Sequence, residues 1–217
     1  MDNFRLVGIY LAAGKSSRMG SQKLNLPLAN HYLGSMALRA ALESWLDVTI
    51  AVTRKGDSLR WLTPFSKRKN LRVLACEDAD KGQSASLKAG VKAAEDLAAT
   101  GVVVLLADQP FVTIEMINKL VDESRTFQDY AYISYLHRGI PKPPVYFSNC
   151  LFPIITELEG DQGARDLIRG ADKFSGKRME SEKDLSFFDV DTNEDYQDLL
   201  DIWASLIGRG GDHGGNW

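Results

Sequence analysis

The sequence predicts a layered α/β/α domain built on a mostly parallel, mixed sheet, and three observations carry that prediction. Short apolar runs alternate with amphipathic stretches along most of the 217 residues, which is the pattern of strand–helix units that lay helices on both faces of one sheet. The run Val102-Val103-Val104-Leu105-Leu106 is continuously apolar, as a strand covered on both faces must be. The first strand opens directly into a loop rich in Gly, Ser and Lys, and in such sheets ligands bind at the carboxyl ends of the strands.

Taken in order, Val7-Gly8-Ile9-Tyr10-Leu11-Ala12 reads as a buried first strand. After the loop from Ala13 to Leu28, Ser35 is placed to cap a helix whose inner face carries Leu38, Leu42 and Trp45. Residues 48–52 form a second strand and 71–74 a third. A helix opens after Gly82, with Leu87, Val91, Ala94 and Leu97 as its buried stripe. The strand at 102–106, central in the sheet, ends at Asp108-Gln109-Pro110. A helix follows Thr113, then strands near Tyr132 to Tyr135 and at Val145-Tyr146-Phe147. Helical segments are expected around Asn149 and Gly163, and a last short strand at Phe187-Phe188-Asp189-Val190. Thr192, with Asp195 three residues on, caps a final amphipathic helix. Residues 1–207 are read as one domain, and the glycine-rich tail 208–217 as disordered.

Composition narrows the function classes. The net charge is −3, whereas a dedicated nucleic-acid binder shows a basic surplus. The one basic run, Lys67-Arg68-Lys69, reads as a solvated turn. Two distant cysteines, Cys76 and Cys150, suggest neither a disulfide framework nor a zinc site. The chain enters an apolar strand almost at once, without the pattern of a signal peptide, and no apolar run is long enough for a bilayer. The expected compartment is the cytoplasm, with no membrane partner. The three histidines form no recognisable metal or base pattern.

The most informative stretch is Leu11-Ala12-Ala13-Gly14-Lys15-Ser16-Ser17-Arg18-Met19-Gly20, with Lys23 just after. Small residues let backbone N–H groups approach a polyphosphate, and Arg18 and Lys23 add charge, one as a planar fork and the other as a point. It is neither a P-loop nor a GxGxxG turn. Residue types alone leave a solvent-exposed glycine loop equally open. Asp108 follows the most apolar strand and faces the same crevice, but an isolated Asp-Gln-Pro is also an ordinary turn.

The loop pattern LAAGxSxRMGxxK resembles that of the MobA-like NTP transferases. Within them it looks most like molybdenum cofactor cytidylyltransferases and their relatives linked to purine catabolism. Gly82-Gln83-Ser84-Ala85-Ser86-Leu87, Ala107-Asp108-Gln109-Pro110, Pro144-Val145-Tyr146-Phe147, Gly160-Asp161-Gln162-Gly163-Ala164-Arg165 and Asp189-Val190-Asp191-Thr192 follow in the family's order. The resemblance implies a three-layer, Rossmann-like nucleotidyltransferase fold. It implies nucleotide contacts from Leu11, Ala12, Ala13, Gly14, Ser17, Arg18, Lys23, Gln83, Ser84 and Ser86. Arg18, Lys23 and Asp108 would be catalytic. Magnesium (Mg2+) would sit on Asp108 and Asp191, with Asp189 as the second candidate, and the acceptor would meet Asp161 and Arg165. An ordinary surface ion pair explains those last two residues equally well.

The resemblance further implies transfer of CMP from CTP to a molybdopterin-type molybdenum cofactor, serving a hydroxylase such as xanthine dehydrogenase. Leu11-Ala12-Ala13-Gly14 is similar to the cytidylyl side of the superfamily, whose guanylyl members read LAGG. The alternatives are a GTP-using relative, a transferase for another acceptor such as a sugar phosphate, and a non-catalytic carrier or chaperone of the cofactor. Two departures from the family pattern stand out. Ala29-Asn30-His31 replaces a glycine turn. Pro143 occupies the place of a histidine before Pro144-Val145, near the expected acceptor pocket.

Overall fold

The computed structural model describes residues 4–15, 19, 22–169, 173–182 and 184–209. In chain order the strands are β1 Leu6–Ala12, β2 Pro27–Leu28, β3 His31–Tyr32, β4 Val48–Arg54, β5 Leu71–Cys76, β6 Gly101–Leu106, β7 Tyr132–His137, β8 Ile140–Ser148 and β9 Gly176–Glu180. The helices are α1 Met36–Glu43, α2 Gln83–Glu95, α3 Ile114–Thr126, α4 Phe152–Thr156, α5 Ala164–Arg169 and α6 Asn193–Arg209. Seven strands make one mixed sheet in the order β5-β4-β1-β6-β8-β7-β9, and β2 and β3 form a separate small hairpin.

Successive residues of β1 point to opposite faces, and the two faces feed two cores. Val7, Ile9 and Leu11 pack with Leu87 and Val91 of α2 and with Phe152 and Ile168 of α4 and α5. Leu6, Tyr10 and Ala12 pack with Leu38 of α1 and with Ile117 and Leu120 of α3. Helices therefore cover both faces, as expected. A third cluster joins Leu199 of α6 to Leu28, Leu33, Phe111 and Val190.

The chain leaves β1 for β4 and β5 on one side and returns through β6 on the other. That reversal opens a crevice at the carboxyl ends of β1 and β6. β6 is central, but it is also the seam of the sheet: parallel to β1 and antiparallel to β8.

Several expectations are corrected. The last strand is not at Phe187-Phe188-Asp189-Val190. Asp184–Phe187 is a 3-10 turn, and Phe187 and Val190 are buried as anchors of an irregular segment. The true last strand, β9, was missed because its sequence GKRME is half-exposed at the sheet edge, where charged residues are usual. Trp45 lies past the end of α1 and is 56% exposed. Ser35 does not cap α1 with its side chain; its hydroxyl donates to the Trp61 carbonyl at 2.8 Å. β8 is longer than residues 145–147. Its prolines hid the first half, because Pro141, Pro143 and Pro144 lie where β8 has passed the end of β6 and pairs with β7 alone, across a register shift. Helix α6 runs to Arg209, beyond the expected boundary at 207, and the rest of the glycine-rich tail lies outside the described residues.

Candidate nucleotide site

The crevice holds a cavity of about 740 Å³. Its floor is the end of β1 and the start of the first loop: Leu11, Ala12, Ala13 and Gly14 all line it. Among the described residues, a side chain at Gly14 would meet nothing within 4 Å. Gln83, Ser86 and Asp161 form the opposite wall. That wall is fixed by Gly82, which sits at φ 116°, where any Cβ would lie 2.2 Å from the Gly160 carbonyl oxygen. The Ser84 amide donates to the same carbonyl at 3.1 Å. The start of α2 is thereby pressed onto the loop that carries Asp161, and the Gln83 side chain lies against Gly163. Ser84 itself is buried and lines a separate depression behind α2.

Lys23, in a 3-10 turn at Lys23–Asn25, is only 8% exposed. Its ammonium donates to Asp108 Oδ2 at 2.8 Å, to the Val190 carbonyl at 2.8 Å and to Asp191 Oδ1 at 3.1 Å. Burial opposes its charge, but Asp108 and Asp191 outweigh burial and hold the ammonium pKa above the usual lysine value. Lys23 is therefore a permanent cation at neutral pH. Asp108 has the opposite balance. Burial raises its pKa, the pairing with Lys23 counteracts that, and Asp189 and Asp191 raise it further, so it stays above an ordinary aspartate.

The segment carrying Asp189 and Asp191 is held beside Asp108 by the Val190 amide, which donates to the Asp108 carbonyl at 3.0 Å. The cap at α6 forms as expected. Thr192 Oγ1 accepts from the Asp195 amide, and the Asp195 carboxylate accepts from the amides of Thr192 and Asp191. Asp189 is engaged differently: Gln109 Nε2 donates to its Oδ1 at 2.7 Å and Lys142 to its Oδ2 at 3.0 Å.

The two carboxylates of Asp108 and Asp191 thus both meet the Lys23 ammonium. Among the described residues no group of three or more His, Cys, Asp or Glu side chains gathers as a metal cage. Two carboxylates, with the other positions left to water and substrate oxygens, is the donor set magnesium takes, so these residues fit that ion. Ser17 and Arg18 lie outside the described residues, as does the side chain of Arg165.

Sequence reasoning missed the mouth of the cavity. Arg54, at the end of β4, donates to the Ala13 carbonyl at 3.2 Å and to Asp80 Oδ1 at 2.6 Å. Lys15 reaches the same Asp80 carboxylate at 3.3 Å. Asn25 and Gln22 hydrogen-bond to the backbone of Ser58, and Trp61 backs the wall. A legible signal existed for Arg54: it ends the strand next to β1, at the same carboxyl edge.

Known proteins share this chain's sequence pattern and its fold. A sequence model described as MobA-like NTP transferase domain matches residues 8–182. The purine catabolism protein PucB of Bacillus subtilis (strain 168) is 42% identical over 198 residues, covering 88% of this chain and 94% of that protein. The molybdenum cofactor cytidylyltransferase of Escherichia coli (strain K12) is 26% identical over 189 residues, covering 87% and 92%. Among solved structures, Rv0371c from Mycobacterium tuberculosis H37Rv superposes with a TM-score of 0.80 at 25% identity, covering 93% of this chain and all of that one.

Proposed function

The chain belongs to the MobA-like NTP transferase family and is a nucleotidyltransferase, and from that premise we propose that it transfers CMP from CTP to a molybdenum–molybdopterin cofactor, releasing pyrophosphate. The observation that carries this reading is the convergence of Asp108 and Asp191 on the Lys23 ammonium, at the edge of a cavity floored by the first loop. The name of the Escherichia coli relative supports the cofactor and the nucleotide, and that of the Bacillus subtilis relative supports a link to purine catabolism. A molybdenum hydroxylase of the xanthine dehydrogenase type is then the protein its product serves.

The acceptor's phosphate oxygen attacks the α-phosphorus in line. The bond to pyrophosphate breaks, and its electron pair leaves with pyrophosphate. A phosphate is already ionised at neutral pH, so no general base is needed, and catalysis is positioning plus charge neutralisation. Asp108 and Asp191 would hold Mg2+, which supplies neutralisation of the phosphates. Lys23 stays protonated and keeps the two carboxylates aligned. The loop at Ala13 and Gly14 brings backbone against the phosphates, with Arg18 adding charge. Gln83 and Ser86 read the base or ribose from the wall; Asp161, expected at the acceptor, lines that same cavity and goes with the nucleotide instead.

The test is pyrophosphate release with magnesium, molybdenum-loaded molybdopterin and each of CTP, GTP, ATP and UTP in turn. Release with CTP alone is expected. Release with GTP would move the chain to the guanylyl side. Absence of release from a folded sample that still binds the cofactor would favour a carrier.

A further inference from the structure

We propose that Lys142, held by Asp189, binds the acceptor's phosphate, an assignment that rests on the transferase reading above. β8 runs antiparallel to β6 with Val145 opposite Val104. Residues 140–144 therefore run past the carboxyl end of β6, toward Asp108. Lys142 comes from that overhang. Its ammonium lies 3.0 Å from Asp189 Oδ2, its side chain is 18% exposed, and the neighbouring Val190 amide ties Asp189 to the Asp108 backbone.

The third member is Gln109. It is wholly buried, its Nε2 donates to Asp189 at 2.7 Å, and its Oε1 has no partner among the described residues. A buried amide oxygen left unpaired is unfavourable and rarely kept without a use. Here the other end of the same amide fixes one oxygen of Asp189 and leaves the second facing Lys142. Gln109 and Asp189 are positioning residues, and Lys142 is the group they position.

The side of the site is set by the reaction. In an in-line displacement the nucleophile and the leaving group lie on opposite sides of the phosphorus. The nucleotide cavity is walled by β1, β4, the start of α2 and the end of β6 down to Asp108, and none of Gln109, Lys142 and Asp189 lines it. With the triphosphate in that cavity, the acceptor oxygen arrives from beyond Asp108, where Lys142 stands. An ammonium has three donors, and the contact with Asp189 takes one. Lys142 gives up no proton; it neutralises and orients the phosphate dianion that attacks.

The test compares wild type with Lys142→Met, Lys142→Arg and Asp189→Asn. Binding of molybdopterin and of CTP with magnesium is measured separately by titration calorimetry, alongside melting temperature and steady-state KM and kcat. Lys142→Met should weaken molybdopterin binding about 10- to 100-fold, the loss of a charge-assisted contact, and raise its KM to match. CTP binding should stay within about 2-fold. Lys142→Arg should recover part of the loss, and Asp189→Asn should raise the acceptor KM more than it lowers kcat. Unchanged molybdopterin binding in a folded Lys142→Met, or equal losses for CTP and molybdopterin, would overturn the assignment. A wild type that releases no pyrophosphate, yet binds molybdopterin in a Lys142-dependent way, would sink the transferase reading and leave Lys142 in place.

Discussion

Lys23 Nζ stands 2.8 Å from Asp108 Oδ2, a contact that joins the first loop to the end of the central strand across 85 residues of sequence. The two partners are not equivalent. Burial works against both charges, but Lys23 ends with its charge favoured and Asp108 with its charge disfavoured. The charged form of Asp108 is therefore disfavoured by its surroundings at neutral pH.

Asp108→Asn follows from that asymmetry. A raised folded-state pKa means the carboxylate's cost is absent below the ordinary aspartate pKa and fully incurred above the folded one. Asparagine removes the cost, and Lys23 retains Asp191 and the Val190 carbonyl. The expected outcome is an unchanged or higher melting temperature with turnover down roughly 100- to 1,000-fold. Wild-type turnover at saturating magnesium would refute the metal role of Asp108.

Lys23→Met should behave in the opposite way. It leaves Asp108 and Asp191 side by side with no ammonium between them, and Asp108 partly buried. Because Asp108 keeps some access to water, the loss should be about 1–3 kcal/mol, below that of a fully buried broken pair. Thermal unfolding without nucleotide or magnesium reads this directly. A melting temperature equal to that of Asp108→Asn would show that Lys23 does not hold the carboxylates together.

The layers and the floor of the site were legible because local pattern and tertiary role coincide there. The apolar run at 102–106 had to be central, and a loop of small residues after β1 had to face the crevice. Thr192 and Asp195 were readable as a cap because capping is a local matter. Lys142 was not, since its role depends on which strands become neighbours and no local period encodes that. β9 was hidden for a related reason: an edge strand carries its charges on both faces. The pairing of Asp189 with Gln109 and Lys142 joins three segments far apart in sequence, and only the fold brings them together.

Gly82→Ala tests whether the wall of the cavity is positioned by backbone packing. The positive φ and the approach to the Gly160 carbonyl both exclude a side chain. The expected loss is about 2–4 kcal/mol of stability. CTP binding should weaken as well, because Gln83 and Ser86 follow directly on the displaced residue. Gly14→Ala is the control: among the described residues a Cβ there meets nothing within 4 Å, so stability should hold while nucleotide affinity falls. Loss of stability in Gly14→Ala equal to that in Gly82→Ala would contradict this account.

Arg54→Gln probes the mouth. Arg54 joins the Ala13 carbonyl to Asp80 over the first loop and lines the cavity, where the proposed triphosphate would meet its guanidinium. The variant should raise the KM for the nucleotide about 10-fold, the loss of one charge-assisted contact, with the acceptor KM unchanged. An acceptor effect equal to the nucleotide effect would place Arg54 elsewhere in the cycle.

Glu123 links stability to pH at the far edge of the sheet. It is buried on α3 and accepts from Lys177 of β9 at 2.6 Å and from Lys119 at 2.9 Å. Hydrogen bonds from Lys177 and Lys119 hold its pKa below the usual glutamate value, against burial. A lowered folded-state pKa contributes stability that is complete above the unfolded pKa and is lost as pH falls through the folded one. Glu123→Gln should therefore destabilise the fold by about 1–3 kcal/mol at pH 7. The gap from wild type should narrow as pH falls below the ordinary glutamate range. Urea unfolding at pH 7, 5 and 3.5 reads both, and hydrogen exchange should show β9 opening first, since it is an edge strand paired only with β7. A gap that is constant with pH would mean that Glu123 acts through packing rather than through its charge.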